Sequence, residues 1–106
     1  YKEILEQPTA LGATLDLAKR RLPSLIDQIR ERDLQRIFLT GCGTSYYAAL
    51  MGEFYLEKIA EIQSRAFPSS EFRYSFPRRN ASRCLLIVAS RSGETTEAIQ
   101  ALEEAK

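Results

Sequence analysis

Histidine and tryptophan are missing from these 106 residues, and only two cysteines and one methionine occur. Without histidine the chain by itself hosts no Ser-His-Asp or Cys-His arrangement. It also lacks the commonest ligand for transition metals, and nothing else in it implies a metal or an organic cofactor. Acid–base chemistry is left to carboxylates, Lys, Tyr or Cys, or to residues from elsewhere. Cys42 and Cys84 are too few for a disulfide framework, which fits a reducing, cytoplasmic setting. No apolar run approaches the length of a membrane span and no signal peptide is visible. A net charge of +1 supplies no long-range field to draw nucleic acid or an acidic membrane. Local basic clusters, Lys19-Arg20-Arg21 and Arg78-Arg79, have acids nearby and read as a solvated helix end and a solvated loop.

What is present is concentrated in two short loops, Gly41-Cys42-Gly43-Thr44-Ser45 and Ser90-Arg91-Ser92-Gly93-Glu94-Thr95. Ile37-Phe38-Leu39 runs into the first, and Cys84-Leu85-Leu86-Ile87-Val88-Ala89 runs into the second. Both runs read as buried strands, and a helical pattern opens after each loop. Glycine lets backbone come close to a ligand, while hydroxyls and helix-start N–H groups donate hydrogen bonds. Small, hydroxyl-rich turns at strand-to-helix junctions suit an oxyanion such as a sugar phosphate. Thr44 and Ser45 supply hydroxyls on one side, and Ser90, Ser92 and Thr95 on the other, with N–H groups near Gly43 and Gly93 completing the shell. The plainer alternative is that these residues cap two helices and glycine permits the turns.

Other phosphate motifs fit less well. A P-loop needs a Gly-Lys pair, which does not occur. A dinucleotide fingerprint wants glycine where Tyr46 stands and an acid where Phe67-Pro68 stands. Cys42 sits where a nucleophile would suit a helix start, but with no base in view it reads as a small packing residue. Glu94 reads as a carboxylate placed to favour its helix start. Arg91 is either a second anion contact or a solvent-facing side chain.

Along the chain, Tyr1 to Gln7 reads as a short amphipathic lead-in ended by Pro8, and Thr9 as the cap of a helix. Pro23 predicts a kink or restart, with the pattern resuming from Ser24 to Arg32. The stretch from Ser45 to Ala60 predicts a long helix burying Tyr47, Leu50, Met51, Phe54 and Leu56. Ile62 to Phe67 is a weaker strand, Glu71 to Tyr74 a helical turn, and Pro77-Arg78-Arg79-Asn80 an exposed loop. Cys84 to Ala89, apolar on both faces, predicts an interior strand of a parallel sheet, and Thr95 to Lys106 a closing helix. Strands alternating with helices predict βαβ units, with both loops at the carboxyl ends of parallel strands. The chain starts at Tyr1 rather than Met and stops at Lys106 within a helical pattern, so it reads as a piece of a longer protein.

At these residues the chain resembles the sugar isomerase (SIS) domain family, most closely the isomerase halves of glucosamine-6-phosphate synthases and related phosphosugar deaminases and isomerases. The segments that carry the likeness are Glu3 to Pro8, Cys42-Gly43-Thr44-Ser45, Ser70 to Tyr74, and Ser90 to Thr95. The resemblance implies a three-layer α/β sandwich around a parallel, flavodoxin-like sheet. It divides the chain into a helical lead-in, residues 1–35, and the first part of a phosphosugar-binding domain, residues 36–106. Carried over, it assigns the phosphate to Cys42, Gly43, Thr44, Ser45, Ser90, Arg91, Ser92 and Thr95. It implies a second SIS domain, a homodimer, and catalytic glutamate, histidine and lysine beyond the matched region, so that none of the residues here is catalytic. Where the synthase pattern has glutamine this chain has Arg91, a departure that fits a deaminase, deglycase or isomerase relative. The rival expectation is a non-enzymatic sugar-phosphate sensor domain of a transcription regulator.

Overall fold

A computed structural model describes residues 1–76, 79 and 81–106, and leaves the side chains of Arg73 and Ala81 undescribed. The expected loop at Pro77-Arg78-Arg79-Asn80 therefore falls largely outside the described residues. Two units divide the chain, Tyr1–Asp33 and Leu34–Lys106.

The first unit is one helix, α1 (Lys2–Arg30), which runs through both Pro8 and Pro23. The lead-in does not end at Pro8, and the helix does not restart after Pro23. Each proline removes one amide from the i→i−4 ladder, but leucine, alanine, glutamate and arginine around them are strong helix formers. Propensity on both flanks carries the ladder across two single gaps.

The second unit alternates strand and helix: β1 (Arg36–Gly41), α2 (Thr44–Lys58), β2 (Ser64–Pro68), α3 (Phe72–Ser75), β3 (Cys84–Ala89) and α4 (Thr96–Ala105). Short 3-10 turns at Ser69–Glu71 and Ala81–Arg83 lead into α3 and β3. The three strands form a parallel sheet in the order β2-β1-β3. Cys84 to Ala89 does form a strand, but among the described residues it lies at the sheet edge and β1 holds the centre. Helices α2 and α4 both lie against β3, and Ile87 is left 40% exposed.

Side-chain alternation along β1 sorts the core into two layers. Ile37 and Leu39 face α2, where they pack with Ala49, Leu56, Ala66 and Leu85. Phe38 faces the other way, into a cluster with Phe67, Phe72, Ala101, Leu86 and Phe76. Phe38 meets Phe76 edge-on at 5.4 Å and Phe67 at a tilt at 6.1 Å, while Phe72 and Phe76 stack at 4.9 Å. Such offset contacts add to what area burial alone contributes. With helices on both faces of a parallel sheet, the architecture is the expected α/β sandwich.

The face that α2 presents to the sheet is another correction. Tyr47 is 67% exposed and Phe54 55% exposed, and Leu50 and Met51 are exposed as well. Small residues make the contact instead, with Ala49 buried and Gly52 against Leu39, where a Cβ would lie 2.6 Å from Leu39 Cδ2. The helix lies too close to the sheet for large side chains. Of the residues expected in the buried face, Leu56 alone packs against the core cluster.

Candidate functional site

The site grows from one register fact. β1 and β3 are hydrogen-bonded neighbours, and their last residues, Gly41 and Ala89, are direct partners. Each strand then leaves the sheet through its glycine loop, so the two loops start side by side at the carboxyl edge. In open parallel sheets this edge, next to helix N-termini, is where ligands bind.

The first loop is held tight by backbone. A Cβ on Gly41 would lie 2.7 Å from both C and O of Ser45 and 2.9 Å from the Tyr46 nitrogen. Only glycine lets the first turn of α2 come this close to the strand end. Gly43, the residue before α2, has φ +55°, a left-handed conformation in which a side chain is strained. Ser45 N–H donates to Cys42 O and Tyr46 N–H to Gly43 O, both at 3.1 Å. Thr44 is exposed, and Cys42 and Ser45 are half-buried.

The second loop is folded by its own serines. Ser90 Oγ accepts the Gly93 N–H at 2.9 Å, and Ser92 Oγ accepts the Glu94 N–H at 3.1 Å. Gly93 has φ +74°. The Gly93 N–H, expected to face a ligand, is thus engaged inside the loop. The serine hydroxyl protons are not consumed by these bonds, because each oxygen acts there as acceptor. Ser90, Arg91 and Ser92 are exposed, while Thr95, the residue before α4, is half-buried.

Neither helix start uses a side-chain cap: Gly43 has no side chain to offer, and Thr95 makes no such bond. The alternative of plain helix capping therefore does not account for the hydroxyls. Ser90 and Ser92 brace their own loop instead.

One polar pair escaped sequence reasoning. Thr40, fully buried with 0% exposure, donates its hydroxyl to Phe67 O at 2.8 Å. Its oxygen lies 3.1 Å from Ser69 Oγ. Since the Thr40 proton is spent on the carbonyl, Ser69 is the donor to Thr40. The chain Ser69 to Thr40 to Phe67 ties the ends of β1 and β2 just beneath the first loop. A threonine ending an apolar strand run was the available signal, because a buried hydroxyl needs a partner. Thr40→Val should cost about 1 kcal/mol, the net worth of a typical hydrogen bond, and Thr40→Ser should recover most of it. Urea denaturation of both variants tests this, and a Val variant as stable as the parent would refute it.

A hollow of about 400 Å³ lies on the α3/α4 side, lined by residues including Ser69, Ser70, Tyr74, Glu97 and Gln100. The loop residues stand outside its walls, so it is separate from the paired loops. No group of three or more His, Cys, Asp or Glu residues suited to a metal occurs among the described residues. Among them, too, no helix is long and apolar enough to cross a membrane.

Fold and site together define a parallel α/β domain whose paired glycine and hydroxyl loops share one sheet edge. Residues 29–106 match the SIS domain model, and the chain belongs to the SIS domain family. It is 41% identical over 114 residues to the glutamine--fructose-6-phosphate aminotransferase [isomerizing] of Caldanaerobacter subterraneus subsp. tengcongensis, covering 99% of this chain and 18% of that protein. The enzyme of the same name from Gloeobacter violaceus is 40% identical over 112 residues, with the same two coverages. That of Pyrococcus horikoshii is 34% identical over 105 residues, covering 99% of this chain and 17% of the relative. The chain thus spans less than a fifth of the length of these curated relatives.

Proposed function

We propose that this chain holds the phosphate of a phosphorylated sugar, of the fructose 6-phosphate or glucosamine 6-phosphate class, within an enzyme that isomerises, aminates or deaminates it. The register pairing of Gly41 with Ala89 carries the proposal, because two hydroxyl-bearing loops leave the sheet from neighbouring strand ends. Thr44, Ser45, Ser90, Ser92 and Thr95 donate hydroxyl protons to the phosphate oxygens. Cys42 and Gly43 shape the backbone of the first loop, and Arg91 adds a positive charge beside the second. Helix-start partial charges and many neutral donors share the load of a dianion without a lysine.

Fixing the phosphate orients the reacting carbons against a base, and that positioning supplies part of the rate. The base and the other catalytic groups come from a second SIS domain or a partner subunit of a homodimer in the whole protein, in a cytoplasmic setting. The relatives bear the names of enzymes that act on fructose 6-phosphate, which supports the enzymatic reading over a sensor. Isothermal calorimetry on the full-length protein should show heat with fructose 6-phosphate or glucosamine 6-phosphate, and a weaker signal with inorganic phosphate. Silence with all three would end the proposal.

A further inference from the structure

In a parallel ladder alternate residues turn their amides toward the neighbouring strand and the others turn theirs away. On β2, Gln63 O accepts the Ile37 N–H, which sets the phase. Arg65 and Phe67 then pair inward with β1, and the amides of Ser64 and Ala66 point out from the sheet edge. Unpaired outward amides are a template on which a foreign strand can add.

Both outward amides are already taken by one helix. The Ala66 N–H donates to Glu53 Oε2, and the Ser64 N–H donates to Glu57 Oε1 at 3.4 Å. The spacing explains why two glutamates on α2 can do this. Residues four apart on a helix are separated by about 6 Å along its axis, and residues two apart on a strand by about 6.6 Å. As α2 rises from Glu53 to Glu57, β2 is met in reverse, Ala66 and then Ser64. That is the order an antiparallel helix beside the strand requires. The close approach that Gly52 permits next to Glu53 brings the carboxylates within reach.

We propose that Glu53 and Glu57 form an edge clamp that closes β2 to strand pairing with a second copy of this chain. Two carboxylates hold the only outward donors of the strand's centre and set negative charge along the line an incoming backbone would take. The inference stands apart from the sugar-phosphate proposal, since neither glutamate lies in the two loops.

Amide hydrogen exchange read by NMR on the whole protein tests it. The Ser64 and Ala66 amides should be protected in the parent although they lie on the outer edge. Glu53→Ala should speed exchange at Ala66 tenfold or more while Arg65 and Phe67 stay protected. Glu53→Gln, which keeps an acceptor oxygen, should leave Ala66 protected, and Glu57→Ala should act in the same way on Ser64. The double alanine variant should associate as its concentration rises, with Ser64 and Ala66 regaining protection. Parent amides exchanging at open-chain rates, or Ala66 protection unchanged in a folded Glu53→Ala variant, would overturn the clamp. A double variant that associates no further than the parent does would overturn its role in closing the edge. If an alanine variant fails to fold, the parent measurement and the Gln variant still decide the matter.

Discussion

Gly41→Ala is expected to remove about 3 kcal/mol of stability, the upper range for overpacking a tight site, and to abolish sugar-phosphate binding. The added methyl would meet Ser45 C and O at 2.7 Å and the Tyr46 nitrogen at 2.9 Å. All three are backbone atoms, so no side chain can swing aside. The first turn of α2 must move off the strand, taking Gly43, Thr44 and Ser45 with it. Because Gly41 pairs with Ala89 in the sheet, that shift also separates the first loop from the second. Gly52→Ala provides the contrast: its methyl would meet Leu39 Cδ2, the far end of a flexible side chain, at 2.6 Å, so its cost should be smaller. Guanidinium denaturation measures the stability, and calorimetry with fructose 6-phosphate measures the binding. A Gly41→Ala protein with parental stability and affinity would show that the close approach is unimportant.

Replacing Ser90 and Ser92 together with alanine should weaken sugar-phosphate affinity by about 1–3 kcal/mol, since each neutral hydrogen bond contributes around a kilocalorie. In binding terms this is a loss of roughly five- to 150-fold. Two effects combine. Each alanine removes a hydroxyl proton that the proposed phosphate would accept. Each also removes the oxygen that holds the loop's own backbone, at Gly93 for Ser90 and at Glu94 for Ser92. Both serines are exposed, so the fold itself should change little. Titration of the full-length double variant with glucosamine 6-phosphate tests this, and unchanged affinity in a folded protein would remove both residues from the site.

The elements that sequence reading placed well are those with unambiguous local signals. Cys84 to Ala89 is a continuous apolar run of strand length, and the structure forms β3 over the same six residues. Ile37-Phe38-Leu39 before a glycine marks the centre of β1 in the same way. The loops were legible because glycine at positive φ and serine bonded to nearby backbone act within a few residues of themselves.

The misreadings share a different cause. Tyr47, Leu50, Met51 and Phe54 are apolar but do not face the sheet, because hydrophobicity alone does not say how closely a helix lies on it. Ala49 and Gly52 occupy that contact, since only small residues fit so short a separation. Pro23 is a strong local breaker, but the ladder on either side outweighs one missing donor. Thr40 at the end of an apolar run signals a buried hydroxyl, but its partner Ser69 lies far off in the chain, so the pairing itself had no local trace.

By itself the sequence determined the class of the protein: alternating strands and helices, no histidine for catalysis within the chain, and two loops rich in glycine and hydroxyls. These follow from short-range preferences of backbone and side chain, which composition and spacing express directly. Tertiary structure alone decided that the loops leave the sheet from paired strand ends, that β1 rather than β3 is central, and that α2 approaches the sheet through Ala49 and Gly52. It also turned Glu53 and Glu57, two ordinary helix glutamates in the sequence, into partners of a strand edge. Such outcomes depend on register and on the distance between layers, which arise only when distant segments pack together.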